Sequence, residues 1–171
     1  MSFAFGHLIF AWIIGKSFEF ISKKKISHLT WGFLLFGSVL PDIDFILGDI
    51  FGEYMHRMFT HGLLFILPIA LVTYFLVRTL NSKSAAKKTT VFIIIGMLSH
   101  LFIDLFYFPG IQLFWPWNIF VYFFGAGYYT LADLAAISAD KLALSIKRAI
   151  IDLGLGTAWI FFLWFRKKIR F

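Results

Sequence analysis

The sequence contains no cysteine. That excludes disulfides and thiolate metal sites, and it leaves His, Asp and Glu to bind any metal. Charge is scarce: 15% of residues are charged, where a soluble domain has about 25%. No H-E-x-x-H is present, so a zincin-type intramembrane protease has no sequence support. No internal repeat and no Pro/Gly/Ser-rich linker divides the 171 residues, which read as one domain. No folded basic patch of the kind that binds nucleic acid is evident.

What is present is apolar. Hydrophobic residues make up 60% of the chain, with 24 Phe and 6 Trp, and the mean hydropathy is +0.84. These values describe an integral membrane protein, since soluble domains are about 45–50% apolar. Five apolar stretches run roughly over 4–20, 29–47, 62–77, 90–108 and 150–165. Each approaches the about 17–20 residues that a spanning helix needs. The first lacks a basic n-region and a small-residue cleavage site, so it reads as a helix, not a signal peptide. The expected fold class is all-α: a polytopic bundle of about five transmembrane helices plus one interfacial or re-entrant segment. That segment is 118–149, apolar at first and then amphipathic. The motifs fall within 1–117, and 150–171 carries the last span and a basic tail.

Basic residues cluster in three places. Lys16, Lys23, Lys24 and Lys25 end the first stretch; Arg78, Lys83, Lys87 and Lys88 follow the third; Arg166, Lys167, Lys168 and Arg170 end the chain. Five spans put all three clusters on one side, which the positive-inside rule makes cytoplasmic. The expected location is the cell (plasma or inner) membrane, with the N-terminus outside and the C-terminus inside. The net charge of +7 then reads as topology and attraction to anionic membrane lipids.

This topology gathers the polar residues on the outer side. They are His7, the P-D-I-D of 41–44, the H-R-M-F-T-H of 56–61, and His100 with Asp104. His100 and Asp104 are four apart and share a helix face. His56 and His61 are five apart, about 140° around an ideal helix, so a loop or helix entry must bring them together. Pro41 disfavours a continuous helix into Asp42 and Asp44, so one can face a metal and the other a histidine. Singly, each feature has a plain reading: an interfacial His7, a turn at P-D-I-D, a hydrogen-bonded pair gluing helices. An intramembrane Asp nevertheless costs about 2.5–3.5 kcal/mol on insertion scales, which favours a functional reading. His28 has no assigned role, and Asp49, Glu53, Asp133 and Asp140 read as solvated or capping residues.

These motifs, in this order, resemble the YdjM-like family of membrane-bound metal-dependent hydrolases. The match covers about residues 1–117: His7; Pro41-Asp42-Ile43-Asp44; His56-Arg57-Met58-Phe59-Thr60-His61; His100 with Asp104; and the loop from Gly110 to Pro116. Gly62 stands where that family usually has Ser. The family in turn resembles, more remotely, zinc-dependent phospholipases C and S1/P1-type nucleases, which hold a cluster of zinc ions with His and Asp. No histidine follows His100 here, so one or two ions are expected, not three.

The resemblance implies a metal held by some of His7, Asp42, Asp44, His56, His61, His100 and Asp104. Nitrogen and oxygen donors suit zinc, with manganese or iron as alternatives. Asp44 or Asp104 would bridge ions or act as base, Arg57 would clamp a phosphate, and Thr60 would orient a ligand or substrate. The expected activity is hydrolysis of a lipid phosphoester at the outer leaflet. Two other classes stand beside it. A proton or metal-ion transporter would need a polar path to the inner face, where the spans show few polar residues. A non-enzymatic protein with a structural metal would bind without turnover. The oligomeric state has no sequence signal.

Overall fold

The computed structural model describes residues 4–44, 50, 57–106, 110–117, 119–123, 125–127 and 139–166. Five α-helices lie among them: α1 (Ala4–Ser22), α2 (His28–Gly37), α3 (Leu63–Leu80), α4 (Lys83–Asp104) and α5 (Ala139–Phe165). Two single 3-10 turns, Leu40–Asp42 and Phe59–His61, flank the segment between α2 and α3. A small antiparallel ribbon, β1 (Phe120–Tyr122) with β2 (Gly125–Gly127), pairs Phe120 with Gly127. The protein is an all-α membrane bundle, with this ribbon as a small addition among the described residues.

α1, α3 and α4 are long and apolar enough to cross a membrane. At about 1.5 Å per residue, their 19, 18 and 22 residues match a hydrocarbon core of about 30 Å. Their outward faces are greasy: Phe20, Ile21, Leu67, Val72, Phe75 and Leu80 are all exposed. A water-soluble bundle would not leave so much apolar surface uncovered, so the solvent of these faces is lipid. α4 is the central helix. Half of its apolar window is buried, against 17% for α1 and for α3.

The second apolar stretch does not form a full span. α2 starts on Ser27, whose side chain accepts from the Thr30 N–H, and stops after ten residues. Ser38 turns its hydroxyl back to the Leu35 carbonyl, at 2.8 Å, and Pro41 sits at the start of the following 3-10 turn. Proline has no N–H for the helix ladder and its ring clashes with the preceding turn. The chain therefore breaks inside the apolar layer instead of at its edge.

α2 and α4 cross with their backbones in contact. A Cβ on Gly96 would lie 2.3 Å from the Leu34 carbonyl oxygen and 3.0 Å from the Ser38 nitrogen. A Cβ on Gly37 would lie 2.5 Å from the Ile93 carbonyl oxygen. Small residues at a membrane helix crossing permit such approach. Around the crossing, Leu40, Ile66, Ile93, Met97, Leu101 and Ile111 form one apolar core, and Ala11, Leu34 and Phe92 a second.

The expected division at 149/150 is not a break. Residues 139–149 belong to the same helix as 150–163, the apolar part of α5. Within 118–149, the ribbon occupies 120–122 and 125–127, and 118, 124 and 128–138 lie outside the described residues. α5 packs on α1, where the Phe5 ring fills the space that a Cβ on Gly156 would need.

Candidate metal centre

The start of α1, the end of α2, the start of α3 and the end of α4 meet at one end of the bundle. Each delivers a polar side chain there: His7, Asp42, His61, and His100 with Asp104. The contacts at the other end confirm the helix directions. The Trp31 indole donates to Glu19, and the Thr30 hydroxyl lies against that of Thr89. The basic clusters at Lys23–Lys25 and Lys83–Lys88 therefore lie opposite the site.

Asp42, His61, His100 and Asp104 each offer a donor atom, and the four atoms lie within 4.8 Å of one another. His61 Nε2 is 3.2 Å from His100 Nε2, 3.4 Å from Asp104 Oδ2 and 3.7 Å from Asp42 Oδ1. His100 Nε2 is 3.5 Å from Asp42 Oδ1 and 3.7 Å from Asp104 Oδ2. A tetrahedral site with bonds of about 2.0–2.1 Å has edges of about 3.3–3.4 Å between its donors. The five edges that involve His61 or His100, at 3.2–3.7 Å, are close to that size.

The partners of the other ring nitrogens decide which way the histidine lone pairs point. His100 Nδ1 is 2.8 Å from the Ser38 carbonyl, so it carries the proton and leaves Nε2 bare. His61 Nδ1 is 3.1 Å from Asp44 Oδ2, with the same consequence. Two lone pairs then face each other across 3.2 Å, which is repulsive without a cation or a proton between them. Burial alone would lower the His61 imidazole. The carboxylates of Asp104, Asp42 and Asp44 outweigh it and push His61 up to about 10. A field that holds a proton this firmly also favours a metal ion.

Behind the four donors stands a supporting shell. Asp44 is fully buried, and its Oδ2 accepts from the Thr60 hydroxyl at 2.7 Å and from the Arg57 N–H at 2.9 Å. The Asp44–His61 contact is a carboxylate–histidine arrangement, which fixes a ligand's tautomer and raises its basicity. Asp42 and Asp44 thus face different partners, the first the cluster and the second a histidine. His7 is fully buried and stacks on the His100 ring at 3.8 Å between centroids. Neither of its nitrogens has a hydrogen-bond partner, and Nε2 lies 3.6 Å from Asp104 Oδ1.

Arg57 has φ +67, a left-handed conformation uncommon for a residue with a side chain. Two backbone bonds hold it there: its N–H to Asp44 and its carbonyl from the Gln112 N–H at 3.1 Å. Its guanidinium is buried, with Nη1 3.3 Å from the Gly110 carbonyl and Nη2 3.6 Å from Asp104 Oδ1. Gly110 has φ +91, and a Cβ there would lie 2.1 Å from the Val121 carbonyl. The aromatic loop is thereby pressed against the ribbon with its carbonyl turned to Arg57.

His7, Asp42, Asp44, Arg57, Thr60, His61, His100 and Asp104 all meet here. His56 lies outside the described residues. One residue that sequence reasoning missed is Asp152 of α5. Its carboxylate accepts from the Phe5 N–H at 3.1 Å and the Gly6 N–H at 2.7 Å, capping α1 beside His7. A lone acid within an apolar stretch was the available signal.

The family model described as YdjM inner membrane protein matches residues 1–169. The chain belongs to that family. No curated protein and no solved structure matches it significantly. YdjM family membership covers nearly the whole chain, where the motifs alone pointed to 1–117. The remote likeness to zinc phospholipases and nucleases has no support from these comparisons.

Proposed function

We propose that this YdjM family member is a membrane-bound metal-dependent hydrolase acting on a lipid phosphoester. The observation that supports it most is the pair of facing Nε2 atoms of His61 and His100, 3.2 Å apart and flanked by two carboxylate oxygens, inside a lipid-facing bundle. Asp42, His61, His100 and Asp104 would hold the ion, zinc first by the donor chemistry. Bound there, such an ion supplies a water ionised near neutral pH and polarises a phosphoryl oxygen. Asp42 is the only one of the four that is partly exposed, so water and a phosphate head group approach from its side. Thr60 and Asp44 orient His61. Arg57 is buried and turned to Asp104 and Gly110, so it steadies the ligand shell instead of clamping a phosphate. Positive-inside topology puts this end of the bundle on the extracytoplasmic side.

One observation favours a second reading, a structural metal. Four protein donors close a tetrahedral shell, whereas catalytic zinc sites keep a position for water. Turnover decides between the two. Purified protein should hydrolyse at least one member of a panel of phospholipids and isoprenoid phosphates. The activity should vanish with chelator and return with zinc. A zinc-loaded protein inactive on every phosphoester would leave the structural-metal reading.

A further inference from the structure

The two oxygens of Asp104 serve different neighbours. Oδ2 faces His61 and His100 at 3.4 and 3.7 Å. Oδ1 faces His7 Nε2 and Arg57 Nη2, each at 3.6 Å. An aspartate placed between two sets of donors in this way is the usual bridge of a two-metal site. Here the second position has a guanidinium beside it. We infer that the cluster holds a single divalent cation, and that Arg57 supplies the second positive charge beside Asp104 where another cation would sit. This rests on the metal reading above, not on hydrolysis.

Charge supports it. Asp42, Asp44 and Asp104 bring three negative charges, and the guanidinium brings one fixed positive charge. Among the described residues, one divalent ion makes the sum zero with both ligand histidines neutral. A second would leave two net positive charges among residues that, apart from Asp42, are at most 2% exposed. Burying net charge is costly, so buried ionic clusters tend to balance. His7 supports it too. Both of its buried nitrogens lack a hydrogen-bond partner, so it would become a ligand if the guanidinium were removed.

The test is metal stoichiometry on the full chain in detergent, saturated with zinc and freed of excess. Wild type should carry one zinc per chain, and Arg57→Lys, which keeps the charge, should also carry one. Arg57→Met leaves one net negative charge with one ion and opens the position beside Asp104 Oδ1 and His7 Nε2, so it should take up a second, weaker zinc, and adding His7→Ala to it should restore one. His7→Ala alone should still carry one zinc per chain, a count that decides the matter even if Arg57→Met does not fold. Two zinc ions in wild type, one in folded Arg57→Met, or loss of zinc in His7→Ala would each overturn the inference. A wild type without zinc would overturn the metal reading itself, a different result from one with two.

Discussion

Gly96→Ala places one methyl group where α2 and α4 touch. The new Cβ would sit 2.3 Å from the Leu34 carbonyl oxygen, 3.0 Å from the Ser38 nitrogen and 3.1 Å from the Gly37 carbonyl carbon. All three are backbone atoms, so no side chain can swing aside. Ordinary contact begins at 3.4 Å, so the helices must part by about 1.1 Å. His100 lies one turn beyond Gly96, and its Nδ1 bond to the Ser38 carbonyl is 2.8 Å. A separation of that size carries the bond past the about 3.5 Å at which hydrogen bonding ends. Overpacking costs about 1–3 kcal/mol, and the lost bond adds about 1 kcal/mol. Without its orienting carbonyl, His100 binds metal more weakly, by about 10–100-fold for a lost outer-shell partner. Zinc competition with a chromophoric chelator reads the affinity, and thermal unfolding in detergent reads the stability. Gly32→Ala is the control, because nothing lies within 4 Å of its Cβ; it should be neutral or, by helix propensity, slightly stabilising. Gly96→Ala with wild-type affinity and unfolding temperature would refute the chain of reasoning from crossing to site.

Thr60→Val removes a donor from the buried Asp44 carboxylate, and should cost about 1–3 kcal/mol of stability and weaken zinc binding. An unchanged affinity would separate Asp44 from the ligand shell. His61, raised to about 10 by its carboxylates, must lose a proton to bind metal, so below that pH zinc affinity should rise about tenfold per unit and then level off. A flat profile in isothermal titration from about pH 6 to about pH 8 would contradict the field described at His61. Asp152→Ala frees two N–H groups at the start of α1, and hydrogen bonds to a charged group contribute about 1.5–3 kcal/mol each. The unfolding temperature should fall, and Asp152→Asn should recover part of it. A cysteine placed at Gly52 should react with an impermeant thiol reagent in intact cells and one at Ser84 should not; the reverse pattern would invert the proposed topology.

Composition and charge were enough to establish a membrane helical bundle, because lipid demands long apolar helices and leaves few places for Lys and Arg. The grouping of His7, Asp42, His61, His100 and Asp104 at one end was also legible. Alternating spans return every second loop to the same side, whatever the packing. Spacing showed that His100 and Asp104 share a face, and Pro41 showed where the second stretch must break. Which nitrogen of each histidine is bare could not be read from the chain. That depends on the Ser38 carbonyl reaching His100 and on Asp44 reaching His61, contacts made 62 and 17 residues apart, the first by the crossing of α2 and α4 and the second by the packing of the two 3-10 turns. The orientation of Arg57 was equally hidden. A left-handed backbone and the Gly110 carbonyl set its guanidinium 3.6 Å from Asp104, which no local pattern in H-R-M-F-T-H announces. Asp152 was visible as an acid in an apolar helix, yet only the packing of α5 on α1 gave it two backbone partners. Local chemistry follows from residue type and spacing; the direction of a lone pair or a charge follows from whatever the tertiary fold sets against it.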